Sequence, residues 1–307
     1  MTETLTILLK ITVVIFMGGN LLDLGLRLNI KEALRGLRDV RFVTLSVLWA
    51  FVLCPALAYV LPMVIPLTPA YAMGLILLGL APCAPLLPMM ADKARGDLNY
   101  AASFMLLASA GTVIYMPIMV PLMVKGLTVS AWTVAKPMLF LVLIPLVIGI
   151  IVQVRAAATA SFIQPFIKKG TGIDTLLMLL LVIVIYGKGF IGAIGTYAIG
   201  TLVIFFSVIT AASYAFGFGM PARQKSILSL GICTRNCGSA LAPLFVVPDA
   251  DQNAIVMVSL GIPMMMIFSL IAARVFAARS GEPAGTLETR DEKGTVAKEE
   301  PPLVHQG

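Results

Sequence analysis

Nine long apolar segments separated by short polar loops dominate this chain of 307 residues. The segments are 5–26, 42–65, 70–91, 101–124, 138–154, 175–191, 194–218, 227–247 and 254–278. Most are close to the ~20 residues that a helix needs to cross the hydrocarbon core of a bilayer. None alternates apolar and polar side chains as a barrel strand does, and a helix satisfies its own backbone groups in lipid. The pattern therefore predicts an all-α integral membrane protein.

The composition agrees with a chain that lies almost wholly in the bilayer. Apolar residues make up 59% of it and charged residues 12%, against about 25% charged in soluble domains. We predict one transmembrane domain over residues 1–279, which leaves no room for a soluble catalytic domain. Residues 280–307 are rich in Glu, Lys, Gly, Pro and Thr, and this composition predicts a disordered cytoplasmic tail.

Basic residues indicate the orientation of the chain. Every odd-numbered loop is basic: the first has Arg27, Lys31, Arg35, Arg38 and Arg41, the third Lys93 and Arg95, the fifth Arg155, Lys168 and Lys169, and the seventh Arg223 and Lys225. Because cytoplasmic loops carry the excess of Lys and Arg, we expect a multi-pass protein of the cell membrane with its N-terminus outside and its C-terminus in the cytoplasm. The net charge of +7 reflects this bias, so no nucleic-acid partner is expected. In the fifth loop, 157–169 predicts a short helix in the inner interface.

Two of the apolar segments carry residues that interrupt a helix. The stretch 79–88 contains Pro82, Pro85 and Pro88, each of which removes a backbone donor. The stretch 231–240, Gly-Ile-Cys-Thr-Arg-Asn-Cys-Gly-Ser-Ala, places polar groups and glycines at mid-membrane. Irregular backbone at this depth lies in protein or lines a cavity. Two such breaks in corresponding halves are typical of secondary transporters with inverted repeats.

Arg235, in the second break, is the most informative single residue. A central arginine costs about 2.5–3.5 kcal/mol on insertion scales, so it must face a cavity, an anion or a structural partner. Three roles are open: an anion-binding guanidinium, a fixed charge that stands in for a cation, or a salt bridge to Asp23 or Asp174. The candidate substrate-binding residues are Arg235, Asn236, Thr234, Cys237, Cys83, Pro85 and Asn20.

The residues needed for other chemistries are scarce. The single histidine, His305, lies in the tail, and acidic residues within the spans are few, so we predict no enzyme, no cofactor and no metal site. The cysteines all lie in apolar segments, where packing is a better interpretation than disulfide formation. The apolar segments show no rings of polar residues along a continuous path, so the sequence does not indicate a channel.

From about residue 16 to 278 the chain resembles the bile acid:sodium symporter (solute carrier 10) family. The matching features are Gly-Leu-Arg-Leu at 25–28, Pro55, Pro82, Ala-Arg-Gly-Asp at 94–97, Ile-Pro-Leu at 144–146 with Gly149, Gln224 with Lys225, and Asn236 with Gly238. The resemblance implies a core domain and a panel domain related by inverted repeats, with the two broken helices crossing in the core. It also implies a nine-helix, bacterial-type member.

The resemblance fails at the positions where the family binds sodium. Those positions hold Leu87, Pro88, Ala50, Ala101 and Met105, and the shared glutamate falls near Gly231. Arg235 occupies the position at which the family has a glutamine. Sodium needs oxygen ligands, which these side chains lack. The residues therefore disfavour sodium coupling, although the family name implies it.

Three functions remain as hypotheses. The first is a carrier of a small organic anion, a carboxylate or sulfonate, held by Arg235, Thr234 and Asn236. The second is a carrier of arsenite or another thiophilic solute, which Cys83, Cys233 and Cys237 would favour. The third is an ordinary sodium-coupled family member. The expected partners are the solute, the lipid bilayer, and sodium or a proton as the coupling ion.

Overall fold

The computed structural model describes residues 2–124, 131–246 and 251–279, and their regular structure is helical. The helices are α1 (Thr2–Arg27), α2 (Ile30–Gly36), α3 (Val40–Leu48), α4 (Cys54–Val64), α5 (Pro69–Leu80), α6 (Leu87–Lys93), α7 (Leu98–Met123), α8 (Ala131–Met138), α9 (Ile144–Arg155), α10 (Ala157–Gly192), α11 (Ala198–Ala215), α12 (Ala222–Cys233), α13 (Cys237–Val246) and α14 (Gln252–Arg279).

Seven helical stretches of the described residues are long and apolar enough to cross a membrane. They are α1, Val40–Val64, α7, Trp132–Arg155, α10, α11 and α14. This confirms the prediction of an all-α, multi-pass membrane protein. The other two predicted segments are each divided between two shorter helices, α5 with α6 and α12 with α13. The count of nine spans stays a prediction, and the proposed tail lies outside the described residues.

A π-helical turn joins α3 to α4 and another joins α8 to α9, and a proline explains each. The turns are Trp49–Leu53 and Leu139–Leu143, and Pro55 and Pro145 follow them. A proline ring clashes with the carbonyl four residues earlier, and a wider turn relieves this clash. For Pro55 that carbonyl belongs to Phe51, and the Tyr115 hydroxyl donates to it at 2.6 Å. The freed acceptor is therefore satisfied inside the protein.

The predicted interfacial helix over 157–169 is not a separate element. It forms the first part of α10, which continues for 36 residues, or about 54 Å at 1.5 Å per residue. The prediction was wrong because Gly170 and Gly172 cost only about 1 kcal/mol each in a helix interior. Packing of α10 against α1 and α9 offsets that cost.

Helices α1 and α9 touch through their backbones at two glycines. A Cβ added to Gly25 would lie 2.5 Å from the Leu146 carbonyl oxygen and 2.9 Å from the Gly149 Cα. A Cβ on Gly149 would lie 2.6 Å from the Leu22 carbonyl oxygen. Small residues at such positions allow helices to approach closely in membranes. The two glycines therefore fix the close packing of α1 against α9.

We expect Gly149→Val to destabilise the membrane domain by about 1–3 kcal/mol, the usual cost of overpacking. The measurement is thermal unfolding of the purified protein in detergent. Gly187→Val is the matched control, because a Cβ at Gly187 in α10 meets nothing within 4 Å. An equal shift in both variants would show that the α1–α9 contact is not the cause.

Candidate functional site

The two interruptions of the apolar segments lie against each other. The amide of Ala84 donates to the Thr234 carbonyl at 3.1 Å, and the amide of Asn236 donates to the Ala81 carbonyl at 3.0 Å. Pro82 and Arg235 form an antiparallel bridge between these bonds. We call the paired stretches, 81–86 and 234–236, the crossing. Its backbone groups satisfy one another where lipid and apolar side chains offer no alternative.

Local sequence explains where each helix ends and restarts. After α5, Cys83 adopts a left-handed conformation with φ of 60°, which is uncommon for a residue other than glycine. Pro88 sits in the first turn of α6, where a missing N–H costs nothing. In the second break, the Asn236 side chain accepts from the Ser239 amide at 3.1 Å and so caps the start of α13. The crossing is thus encoded by proline on one side and a capping amide on the other.

The Arg235 guanidinium is fully buried and binds three backbone carbonyls. Its Nε donates to the Leu78 oxygen at 2.9 Å, one terminal nitrogen to Gly79 at 2.5 Å, and the other to Ile232 at 3.3 Å. These carbonyls belong to the last turns of α5 and α12. Because a helix C-terminus carries partial negative charge, one cation neutralises the ends of two helices.

This geometry bears on the three roles left open for Arg235. Asp23 pairs instead with Arg27 at 3.2 Å and accepts from Gln164 at 2.7 Å. Asp174 makes no ion pair among the described residues. Neither aspartate is therefore a partner of Arg235. With its donors on carbonyls, the guanidinium fits the role of a fixed internal cation better than that of an exposed anion ligand.

A cavity of about 370 Å³ lies beside the crossing. Helices α1 and α10 form one wall, and the crossing, α6 and α14 form the other. The polar side chains on it include Asn20, Asp23, Arg27, Lys168, Thr171, Thr175 and Asn236. Four methionines, Met89, Met178, Met265 and Met266, supply much of the apolar surface. A concave site that is mostly apolar with a few convergent polar groups is the usual form of a small-molecule site.

The structure brings together Asn20, Pro85, Arg235, Asn236 and Cys237 on the cavity lining. It does not place the other two candidates there. Thr234 is fully buried, and its hydroxyl donates to the Leu230 carbonyl at 2.8 Å at the end of α12. Cys83 is buried in the crossing, and its thiol lies 3.7 Å from the Ala84 carbonyl.

Sequence reasoning missed the contribution of α10 to the site. Lys168, Thr171, Thr175 and Met178 line the cavity at successive turns of this helix. Their spacing of three and four residues places them on one face, a signal that was available in the sequence. Lys168 had been interpreted only as a cytoplasmic loop charge. The described residues give it no ion pair, so its charge is available on the cavity wall.

The cysteines do not assemble a soft-metal site. All four are free thiols, and of these only Cys237 lies on the cavity lining. In the described part of the chain, no three His, Cys, Asp or Glu residues are grouped so that they could hold a metal ion. The observation that favoured a thiophilic solute is therefore reduced to one thiol.

A sequence model described as the Sodium Bile acid symporter family matches residues 14–193, more than half of the chain. The chain belongs to the sodium bile acid symporter family. The resemblance inferred from the motifs is thereby confirmed at the level of the family. No curated protein matches the chain.

Membership of this symporter family fixes the broad activity. The family comprises secondary membrane transporters and is not a family of enzymes. The matched stretch contains the first half of the crossing and the cavity-lining face of α10. The second half, with Arg235, lies beyond it. Arg235 is therefore in a part of the chain that the family match does not reach.

Proposed function

We propose that this symporter-family protein carries a small organic anion across the membrane by alternating access, with the solute bound in the cavity beside the crossing. The observation that carries the proposal is the uncompensated charge of Lys168 on the cavity wall. Asp23 and Arg27 neutralise each other there, so Lys168 leaves the lining positive. A carboxylate or sulfonate would gain a charge-assisted hydrogen bond from it.

The remainder of the lining supports a solute with an apolar body. The methionine side chains of the lining are flexible and polarisable, so they adapt to apolar groups of different shapes. Asn20 and Asn236, on opposite walls, offer amide groups to the polar end of the solute. A volume of about 370 Å³ lies within the range of small-molecule pockets.

We infer that the two cavity walls correspond to the two moving parts of an inverted-repeat carrier. The crossing, α6 and α14 would belong to the core domain, and α1, α9 and α10 to the panel domain. The charge pattern assigns Arg27, at the end of α1, and Lys168, in the first half of α10, to the cytoplasmic side. Their side chains are on the cavity, so we assign the present conformation as open to the inside, with the N-terminus outside.

We propose that transport does not use sodium. In carriers with broken helices, unwound carbonyls and half-helix C-terminal ends coordinate the coupling cation. Here the Arg235 guanidinium donates hydrogen bonds to such carbonyls at the ends of α5 and α12. The positions aligned with the family's sodium ligands, among them Ala50, Leu87 and Met105, are buried and apolar. At an effective dielectric of 20, a second cation ~4 Å from the guanidinium would meet about 4 kcal/mol of repulsion.

Uptake by proteoliposomes should proceed at the same initial rate when choline replaces sodium. The assay screens a panel of carboxylates and sulfonates, with protein-free liposomes as the blank. Arsenite belongs in the same panel, because its uptake in place of every organic anion would favour the thiophilic alternative. A steep dependence on sodium would make the chain an ordinary sodium-coupled member and would overturn the role given to Arg235.

A further inference from the structure

Asp174 is a buried carboxylate that nothing in the site described above uses. It lies in α10 with 8% of its surface exposed, and its Oδ2 atom is buried without a hydrogen-bond partner. The other charged residues buried in the described part of the chain are Asp23 and Arg235, and both are paired. Among the described residues, Asp174 is therefore the buried ionisable side chain without a partner.

Its position ties it to the cavity. Thr171, Thr175 and Met178, within one turn of Asp174 on α10, line the cavity. On the facing helix, a Cβ at Gly19 would collide with the Thr171 side chain, so α1 and α10 are in close contact at this level. Any movement of α10 that opens or closes the cavity must also change the surroundings of Asp174.

The helices packed against α10 bring no counter-charge to this level. Helices α1, α9 and α14 pack against α10. The charged residues nearest in sequence to this level lie on five helices: Lys10 and Asp23 on α1, Lys136 on α8, Arg155 at the end of α9, Arg274 on α14, and Lys168, Lys169 and Lys188 on α10. Lys168 and Lys169 lie six and five residues from Asp174, beyond the i, i+4 spacing at which helical side chains pair.

An ionised carboxylate in such a place is costly, because burial without a partner removes its hydration and returns nothing. The uncharged, protonated acid is the form that this conformation accommodates. Ionisation requires more water or a cation to reach the group, which a movement of the wall formed by α1 and α10 away from α14 would allow. Ionisable groups within membrane spans are typical of proton relays in transporters.

We propose that Asp174 is a proton-binding site whose occupancy is linked to the conformation of the cavity, so that protons drive the carrier. Proton binding at Asp174 favours the conformation seen here, and release favours one in which the carboxylate is solvated. The link to solute movement rests on the proposed carrier function. The proton site itself does not.

The first test detects the acid directly. The full-length protein in liposomes of phosphatidylethanolamine and phosphatidylglycerol is titrated from acidic to alkaline pH while infrared difference spectra are recorded. Because the other carboxyl groups titrate in both proteins, the signal of Asp174 is the difference between the wild type and Asp174→Asn, which should contain a C=O stretch of a protonated carboxylic acid that is lost as the pH rises. Asp23→Asn is the matched control and should keep the Asp174 band, because it removes a different carboxyl group, one that pairs with Arg27. If the wild type and Asp174→Asn show the same titrating bands, the proposal is overturned.

The second test measures the link to conformation. Hydrogen–deuterium exchange of α10 and the crossing, corrected for the intrinsic effect of pH, should differ between acidic and alkaline conditions in the wild type. Asp174→Asn, which mimics the neutral acid in shape, should hold the acidic pattern at every pH. Asp174→Glu should restore the pH dependence. Exchange that is independent of pH, or equally dependent in Asp174→Asn, contradicts the link. Since neither test needs a transported solute, failure here leaves the carrier function standing.

Discussion

Arg235→Met should lower the thermal stability of the purified protein sharply and abolish transport. Methionine approaches arginine in length but removes the guanidinium that binds the carbonyls of Leu78, Gly79 and Ile232. Each buried acceptor left without a donor costs about 1–3 kcal/mol. The ends of α5 and α12 also lose the cation that neutralises them, so the crossing loses its main polar support.

Two variants separate this effect from a general loss of charge. Arg235→Lys keeps a cation but loses the planar fork, so it should fall between the wild type and Arg235→Met. Arg155→Met removes an exposed arginine at the end of α9 and should leave the unfolding temperature unchanged. If Arg235→Met unfolds like the wild type and loses only affinity for anions, the guanidinium serves the solute and not the helix ends.

Lys168→Met should weaken anion binding by about tenfold or more, because a hydrogen bond to a charged group contributes about 1.5–3 kcal/mol. The lysine is exposed on the cavity and makes no ion pair among the described residues, so its removal should leave the unfolding temperature unchanged. Binding is followed by thermal shift or calorimetry with the solutes found in the uptake screen. The expected signature is thus a loss of affinity without a loss of stability.

The neighbouring lysine provides the control. Lys169→Met makes the same chemical change one residue along α10, and Lys169 does not line the cavity. Its affinity should match that of the wild type. Lys168→Glu should bind more weakly than Lys168→Met, since it adds repulsion to the loss of attraction. Equal affinities in the two methionine variants would place the anion elsewhere.

The sequence predicts the helical class and the positions of the interruptions because both depend on local chemistry. Apolar segments of about 20 residues have one solution in lipid, and three closely spaced prolines, at 82, 85 and 88, disfavour a continuous helix through that stretch. Arg235 was singled out for a similar reason, since a charge at mid-membrane is costly unless it faces a partner or a cavity. These predictions needed no knowledge of which segments are neighbours in space.

The features that the sequence did not predict depend on contacts between segments that are distant in the chain. The carbonyls of Leu78 and Gly79 are more than 150 residues from Arg235, and no pattern in the sequence brings them together. The role of Lys168 was missed because α10 was divided at its glycines, which hid the face that continues to Thr175. Asp174 was one of two candidate partners of Arg235 by charge alone, and in the structure it makes no ion pair with Arg235.

The backbone hydrogen bonds at the crossing also separate two properties of the molecule. One is the lifetime of the folded state, and the other is the equilibrium between inward-facing and outward-facing conformations. In lipid, the amides of Ala84 and Asn236 would find no replacement for their present acceptors, so we expect the broken helices to stay joined throughout the proposed cycle. In the proposed alternating-access cycle, the contacts of α1 and α10 with the other wall differ between the inward-facing and outward-facing conformations. Substitutions there should alter the ratio of inward-facing to outward-facing molecules, whereas substitutions in the crossing should alter how long any molecule stays folded.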